Sequence, residues 1–288
     1  GDRVDGAAGP AVEILTQKLP GEHHLLFTEV DGAFPNHHPD PTEEKNLADL
    51  KALVAEKKLD FGVAFDGDGD RIGAVDGEGR VIWGDQLLMI YAEDLLRLAP
   101  GSTVIADVKA SRALFDKVAA LGGQPLMWNT GHSLIKSKMK ETHAPLAGEM
   151  SGHVFFKERW YGFDDGLYAG ARMLEILSRH ADPSAVLDAL PDSPSTPELH
   201  LQCREGENFT LIDALKERQG AFTGASDVIT IDGLRVEYPD GFGLARPSNT
   251  TPVVVLRFEA DTQAALARIK SEFKAALEAA WPGIRADF

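Results

Sequence analysis

The sequence has one cysteine, Cys203, among 288 residues, so no internal disulfide can form and the chain reads as one suited to a reducing cytoplasm. Cys203 itself reads as a small strand residue rather than a reactive thiol. No stretch approaches the roughly 20 apolar residues that span a bilayer, and no signal-peptide pattern opens the chain. The expectation is therefore a soluble, cytoplasmic protein. A basic excess is missing too. The chain has 29 Lys and Arg against 45 Asp and Glu, a net charge of −16 that argues against a nucleic-acid partner. An anionic substrate then needs a local basic pocket. Internal repeats and low-complexity tracts are not evident. What is there, 43% hydrophobic and 26% charged, is the composition of an ordinary globular protein. The length suits about two domains, or three small ones.

Residues 61–71, Phe-Gly-Val-Ala-Phe-Asp-Gly-Asp-Gly-Asp-Arg, organise the rest. The apolar run 61–65 has the pattern of a buried strand and ends in Asp66, Asp68 and Asp70, spaced by glycines that permit a tight turn. Three crowded carboxylates repel one another unless a cation sits among them, and hard oxygen donors suit Mg²⁺ or Ca²⁺. Arg71, next in line, makes sense if the metal also touches a phosphate. An EF-hand needs Gly at its sixth position and Glu at its twelfth. Those positions hold Arg71 and Gly77. A phosphatase loop with an Asp nucleophile, or a plain acidic turn, fits the same residues locally.

Read in order, the chain opens on a glycine-rich strand-to-helix loop, residues 1–9, with a helix over 10–18 begun by Pro10. No strand is foreseen before that loop, so the chain looks cut inside a domain, with a neighbouring strand left as an open sheet edge. A strand follows over 25–30, then an irregular Pro- and Asn-rich stretch, 31–41, whose His37 and His38 read as loop hydrogen bonders rather than metal ligands. Residues 42–58 read as an amphipathic helix. Strands 61–65, 71–75 and 81–83 complete the first unit, with a hairpin turn over 76–79. Beyond residue 84, helices over 86–98, 111–121, 133–142 and 165–180 alternate with strands over 103–108, 125–128 and 144–147. That alternation indicates an α/β unit with a largely parallel sheet. Prolines mark 182–197 as a linker. Strands over 199–203, 227–231, 234–237, 243–246 and 253–260, with helices over 208–218 and 262–280, make an α+β unit with an antiparallel sheet. The expected domains are 1–83, 84–190 and 191–288.

Four further loops carry candidate chemistry. Asp107-Val-Lys109 ends a strand with a lysine that suits a sugar hydroxyl or phosphate, and equally an ordinary surface position. Thr130-Gly-His-Ser133 opens a helix whose free amides favour anions, or is a plain cap. In Gly148-Glu-Met-Ser-Gly-His153, alternation along an extended loop puts Glu149, Ser151 and His153 on one side, as gripping vicinal hydroxyls requires. A polar turn is the plainer reading. Arg246-Pro-Ser-Asn-Thr-Thr-Pro252 joins a guanidinium to short donors, the composition of a phosphate clamp or of an Asx/Ser turn. Metal, phosphate grip and hydroxyl grip from successive units suggest a cleft that takes a phosphorylated sugar.

The three motifs 66–71, 148–153 and 246–252, with Glu29 to Pro41 and Phe155 to Trp160, resemble the α-D-phosphohexomutase superfamily over essentially the whole chain. Met150 brings it nearest the bacterial phosphomannomutase/phosphoglucomutase group, since phosphoglucosamine mutases usually carry Gln there. The resemblance implies two α/β domains, the first incomplete, followed by a C-terminal α+β domain. It implies interconversion of hexose 1- and 6-phosphates through a phosphoserine and a bisphosphorylated intermediate. It implies Mg²⁺ on Asp66, Asp68 and Asp70, and Arg71 on the phosphoserine. Glu149 and Ser151 would take sugar hydroxyls, with His153 near the transferring group. Arg246, Ser248, Asn249 and Thr250 would hold the distal phosphate, and Lys109 and His132 would line the cleft. The family's first domain, with its Thr-Ala-Ser-His-Asn-Pro-type nucleophile loop, is not in this sequence. The missing domain is thus an expected partner. A non-catalytic sugar-phosphate-binding fragment is the alternative expectation for this chain alone.

Overall fold

The computed structural model describes residues 2–3, 7–31, 38–284, 286 and 288. The irregular stretch expected over 31–41 lies partly outside them, as do His37 and parts of the opening loop. By packing, the chain divides into two compact units, 1–127 with 131–191, and 128–130 with 192–288.

In the first unit, β1 (Asp2–Arg3), α1 (Gly9–Thr16), β2 (Leu25–Leu26), α2 (Ala48–Lys57), β3 (Phe61–Phe65), β4 (Ile72–Asp76) and β5 (Val81–Ile82) follow in order. Their sheet runs β2-β1-β3-β4-β5. β1 corrects the reading of residues 1–9 as loop throughout and puts a strand ahead of α1, because it pairs in parallel with both β2 and β3. β3 therefore has a neighbour on each side, and the edges of the sheet are β2 and β5. The strand expected over 25–30 stops at Leu26 because Phe27 adopts φ +54°, which breaks an extended run. The helix expected over 42–58 starts as a 3₁₀ turn, Glu44–Leu47, before α2.

β3 and β4 are apolar on both faces, because both are covered. Ala64, Val75 and Val81 pack with Leu47, Leu50 and Val54 of the α2 side. Val63, Phe65, Ile72, Ala74 and Ile82 face the other way, into the main core of the unit. A near-continuous hydrophobic run is what double coverage demands.

The unit goes on through α3 (Gly84–Leu98), β6 (Thr103–Asp107), α4 (Arg112–Ala120), β7 (Gln124–Trp128), α5 (His132–Thr142), β8 (Leu146–Gly148), β9 (Val154–Phe156), α6 (Gly166–Leu177) and α7 (Pro183–Asp188), and all of these but β7 and α5 contribute to that core. The second sheet runs β7-β6-β8-β9, with β6 and β8 parallel and β8 and β9 antiparallel. β9 was not foreseen, since three apolar residues between polar motifs give too short a signal. α7 sits in the stretch read as linker. Pro183 occupies its first turn and the Asp182 carboxylate accepts from the Ser184 N–H, a start signal hidden among prolines.

The second unit holds β10 (Leu199–Gln202), α8 (Glu207–Lys216), β11 (Asp227–Ile229), β12 (Leu234–Tyr238), β13 (Gly241–Pro247), β14 (Val253–Ala260) and α9 (Gln263–Ala280). Its sheet, β10-β14-β13-β12-β11, is antiparallel at every pairing. α9 packs so closely that a Cβ on Gly243 would lie 2.4 Å from the Phe273 ring. Among the described residues no helix is long and apolar enough to cross a membrane.

Gly84 opens α3 where a Cβ would lie 2.5 Å from the Glu149 carbonyl oxygen and 2.7 Å from that of Met150. Gly84→Ala, favourable by helix propensity alone, is expected to cost about 1–3 kcal/mol by overpacking. Gly220→Ala, with nothing within 4 Å of its Cβ, should stay within about 0.5 kcal/mol of the unsubstituted chain. Urea unfolding measures both, and an unchanged midpoint for Gly84→Ala contradicts the close approach.

Candidate active site

The turn from β3 to β4 is built on Asp66. Its Oδ1 accepts the N–H groups of Gly69 at 3.0 Å and Arg71 at 3.1 Å, and its Oδ2 accepts from Arg71 Nε at 2.6 Å. Gly69, at φ +80°, lets the loop double back. Asp66, Asp68 and Asp70 each offer an oxygen, all within 4.8 Å of one another. The loop is tied from behind, where Gly67 and Gly69 carbonyls accept the N–H groups of Ala7 at 2.8 Å and Gly166 at 3.0 Å. Arg71 also reaches Asp40 Oδ1 at 3.1 Å. Its guanidinium is thus shared between two carboxylates.

Residues 148–153 join β8 to β9. The expectation of an extended loop is corrected, because the backbone forms a tight turn. Glu149 N–H donates to the His153 carbonyl at 2.9 Å, Gly152 N–H donates to the Glu149 carbonyl at 3.0 Å, and Gly152 sits at φ +95°. The turn still brings the three side chains together. His153 Nδ1 lies 3.0 Å from Glu149 Oε2 and 2.9 Å from Ser151 Oγ. Glu149 is 3% exposed, and its Oε1 accepts the Gly131 N–H. Asp107 Oδ1 accepts the Met150 N–H at 3.1 Å.

The two turns meet directly. Arg71 and His153 form an antiparallel bridge, Ile72 N–H donates to the Gly152 carbonyl at 3.0 Å, and His153 Nε2 lies 3.4 Å from Asp70 Oδ1. His132, first residue of α5, stacks on His153 at 5.9 Å. Lys109 is buried, with its Nζ 3.9 Å from Asp107 Oδ2.

The second unit carries its own basic loop. Arg246 is buried at the end of β13 with its Nε donating to Asp232 Oδ2 at 2.9 Å. Ser248 Oγ accepts the N–H groups of Thr250 and Thr251, each at 3.3 Å, and Asn208 Nδ2 donates to the Ser248 carbonyl at 3.0 Å. Asn249 and Thr250 are exposed.

Family models for the phosphoglucomutase/phosphomannomutase proteins match nearly end to end. Alpha/beta/alpha domain II matches residues 2–79, alpha/beta/alpha domain III matches 83–193, and the C-terminal domain matches 198–276. A phosphoglucomutase of Neisseria gonorrhoeae is 54% identical over 98% of this chain and 62% of its own length. A phosphomannomutase/phosphoglucomutase of Pseudomonas aeruginosa is 52% identical over 96% of this chain and 60% of its own. A crystal structure of a phosphoglucomutase/phosphomannomutase family protein from Burkholderia thailandensis superposes with a TM-score of 0.93 at 57% identity, over all of this chain and 62% of that one.

The chain belongs to the α-D-phosphohexomutase superfamily. It spans about three fifths of the relatives it matches, and it has that family's mixed α/β fold, with domains II and III in the first unit and the antiparallel C-terminal domain in the second.

Crowding shows in the protonation of this site. Burial, with the carboxylates of Asp66 and Asp68, pushes the Asp70 carboxyl up to about 6 against the pull of His153. Burial pushes the His153 imidazole down, but its hydrogen bond to Glu149 and the charges of Glu149, Asp70 and Asp164 outweigh that and hold it above its ordinary value. Burial likewise raises Glu149, yet His153, the Gly131 N–H and Lys109 bring it below the usual range.

Of the residues singled out in the sequence, Asp66, Asp68, Asp70, Arg71, Lys109, His132, Glu149, Ser151 and His153 lie in the first unit and Arg246, Ser248, Asn249 and Thr250 in the second. Sequence reasoning missed carboxylates that hold the basic groups, namely Asp40, Asp164 and Asp232, and also Lys136, while Asp107 entered only as the start of the Asp107-Val-Lys109 stretch. Only Asp40 and the Asp164-Asp165 doublet carried a visible signal, as acids inside or next to motif stretches.

The Glu149–His153 pair fixes a pH dependence. The raised His153 adds stability that is complete below its unfolded value near 6.5 and lost as pH rises through its folded value. The lowered Glu149 adds stability that is present above its unfolded value near 4.5 and lost as pH falls through its folded value. Their pairing is thus strongest near pH 6. Glu149→Gln should cost about 1.5–3 kcal/mol in urea unfolding at pH 6 and clearly less at pH 9. An equal cost at both values refutes the pairing.

Proposed function

We propose that the protein this chain belongs to interconverts hexose 1-phosphates and hexose 6-phosphates, with glucose and mannose as the sugars. The observation that carries this reading is the direct junction of the acidic turn, 66–71, with the Glu149–Ser151–His153 turn. The domain limits that go with it are 1–83, 84–190 and 191–288, in keeping with the family-model matches. A cytoplasmic setting fits the single cysteine.

The donor set fits Mg²⁺, because three carboxylate oxygens in one turn are hard ligands with room left for water or a phosphate oxygen. Asp66, Asp68 and Asp70 would hold it, and when bound it supplies positive charge to a phosphoryl group in transfer. The other roles follow from the side chains. Glu149 and Ser151 grip sugar hydroxyls. His153, with Nδ1 committed to Glu149 and Ser151 and Nε2 3.4 Å from Asp70 Oδ1, is placed to exchange a proton with the reacting hydroxyl through Nε2. Arg71, Lys109 and His132 supply positive charge or hydrogen bonds at the same place. In the second unit, Arg246, with Ser248, Asn249 and Thr250, forms a phosphate clamp.

A polypeptide carrying this chain together with a domain I should convert glucose 1-phosphate and mannose 1-phosphate to the 6-phosphates when primed with glucose 1,6-bisphosphate. No turnover of either sugar sinks the proposal. In it, Asp68→Asn should lower the rate by about a hundredfold or more, with calorimetric affinity for glucose 6-phosphate within about twofold. An intact rate would make the acidic turn structural. Protons compete for Asp70, raised to about 6, so Mg²⁺ should bind more weakly at pH 5 than at pH 7.5. Equal affinities would place the ion elsewhere.

A second reading, a sugar-phosphate-binding module without catalysis, is favoured for the chain by itself because both grips are formed within it. Calorimetry with glucose 1-phosphate and glucose 6-phosphate tests it. No binding of either rejects it.

A further inference from the structure

Asp164 is singled out by no motif, yet its carboxylate is nearly enclosed, and it is spent on two basic groups of α5. Oδ2 lies 3.1 Å from His132 Nδ1 and Oδ1 lies 2.9 Å from Lys136 Nζ. His132 and Lys136 stand four residues apart, on one face of the helix. The backbone beneath Asp164 is pinned, since it bridges Phe155 of β9 and the next N–H, that of Asp165, donates to the Val154 carbonyl at 3.3 Å. Asp165 then caps α6. The backbone that carries the carboxylate is therefore held by two elements of the fold. The carboxylate is ionised, because the Lys136 hydrogen bond and charge outweigh its burial and hold it below the usual carboxylate range.

A carboxylate at 3.1 Å decides where the His132 proton sits. A bare lone pair on Nδ1 would face the negative oxygen and be repelled, so Nδ1 must carry the hydrogen and donate it. Lys136 Nζ also lies 3.5 Å from Nδ1, but its 2.9 Å contact with Asp164 Oδ1 is the shorter and charge-assisted one. With Nδ1 protonated, neutral His132 keeps its lone pair on Nε2. The ring stacks on His153, whose Nδ1 is already committed to Glu149.

We propose that Asp164 is a positioning residue of the site, fixing His132 as the Nδ1–H tautomer so that Nε2 is the free acceptor, and anchoring Lys136 beside it. The free Nε2 is suited to a hydroxyl or a protonated phosphate oxygen of a bound sugar phosphate. That last step rests on the mutase reading above, whereas the tautomer does not.

The primary experiment reads the tautomer directly in this chain by ¹⁵N–¹H long-range correlation spectra of ¹⁵N-histidine protein at a pH where His132 is neutral. His132→Gln assigns the signal. Wild type should show Nδ1–H. Asp164→Asn should invert it, because Lys136 takes the amide oxygen and turns the amide N–H₂ toward Nδ1, which must then be the acceptor. The same inversion costs a catalytic histidine its correct tautomer when an orienting aspartate becomes asparagine. If the Asn variant does not fold, Asp164→Ala serves, with Nε2–H, the form preferred by an unrestrained imidazole, expected to dominate. A wild-type Nε2–H signal, or an unchanged Nδ1–H signal in both variants that fold, overturns the proposal. In the polypeptide with domain I, Asp164→Asn should lower kcat roughly tenfold to a hundredfold with KM nearly unchanged. A kcat within twofold of wild type, with the tautomer inverted, removes the link to turnover. Absence of any mutase activity in wild type counts against the function and leaves the tautomer result standing.

Discussion

The site depends on how closely the backbone of residues 149–152 can approach that of Ile72 and Gly84. A Cβ on Gly152 would lie 2.4 Å from the Ile72 carbonyl oxygen, and one on Gly84 would meet the carbonyls of Glu149 and Met150. Both contacts are backbone against backbone, with no flexible side-chain end to yield. The Ile72 N–H to Gly152 carbonyl bond and the Arg71–His153 bridge exist because those side chains are missing. The spacing between the acidic turn and the Glu149 turn is therefore set by main-chain geometry. Behind it stands β4, buried along its whole length. Groups that must act on one substrate are placed most accurately when rigid elements carry them.

That compactness forces a second constraint. Seven carboxylates, Asp40, Asp66, Asp68, Asp70, Asp107, Glu149 and Asp164, are gathered near a few basic groups, in a chain already carrying −16. Each of the basic groups Arg71, Lys109, Lys136, His132 and His153 is accordingly met by at least one acid. The expectation of a local basic pocket thus takes a particular form. The cations are present but already engaged with carboxylates, so none of these five stands as a vacant charge. Pairing avoids leaving a buried cation without a partner, which is the costly state of a buried ion pair. The three acids of the 66–71 turn, where Asp70 is pushed toward protonation, are the place where added positive charge would relieve repulsion.

Much of this was legible in the residues. The 61–65 strand could be read because a run covered on both faces is apolar throughout, and the acidic turn because only glycines separate its carboxylates. The convergence of Glu149, Ser151 and His153 was read correctly for the wrong reason, since a turn at Gly152, and no alternation, brings them together. Short or punctuated elements escaped notice. β1 has two residues, β9 has three, and α7 begins on a proline inside a stretch that composition marks as linker. The partners of the basic groups escaped for a different reason. His132 and Asp164 are 32 residues apart and Arg71 and Asp40 are 31 apart, and no local pattern links residues that only the fold makes neighbours.

The loop after β13 shows the same limit within one motif. Its composition, one arginine and four short polar residues, reads as a single set of donors, but the fold divides the set. Ser248 turns its hydroxyl inward to accept two N–H groups of its own loop, while Asn208 braces its carbonyl from α8. Asn249 and Thr250 are left exposed at the tip of that frame. Asp232, just before β12, holds the guanidinium of Arg246 through contacts to Nε at 2.9 Å and Nη2 at 3.4 Å. A frame of one serine and one aspartate therefore presents one guanidinium and two exposed polar side chains, and the identity of the frame residues matters through shape. What the frame fixes in advance is the guanidinium and the loop backbone, the part of an ordering cost that a rigid frame removes.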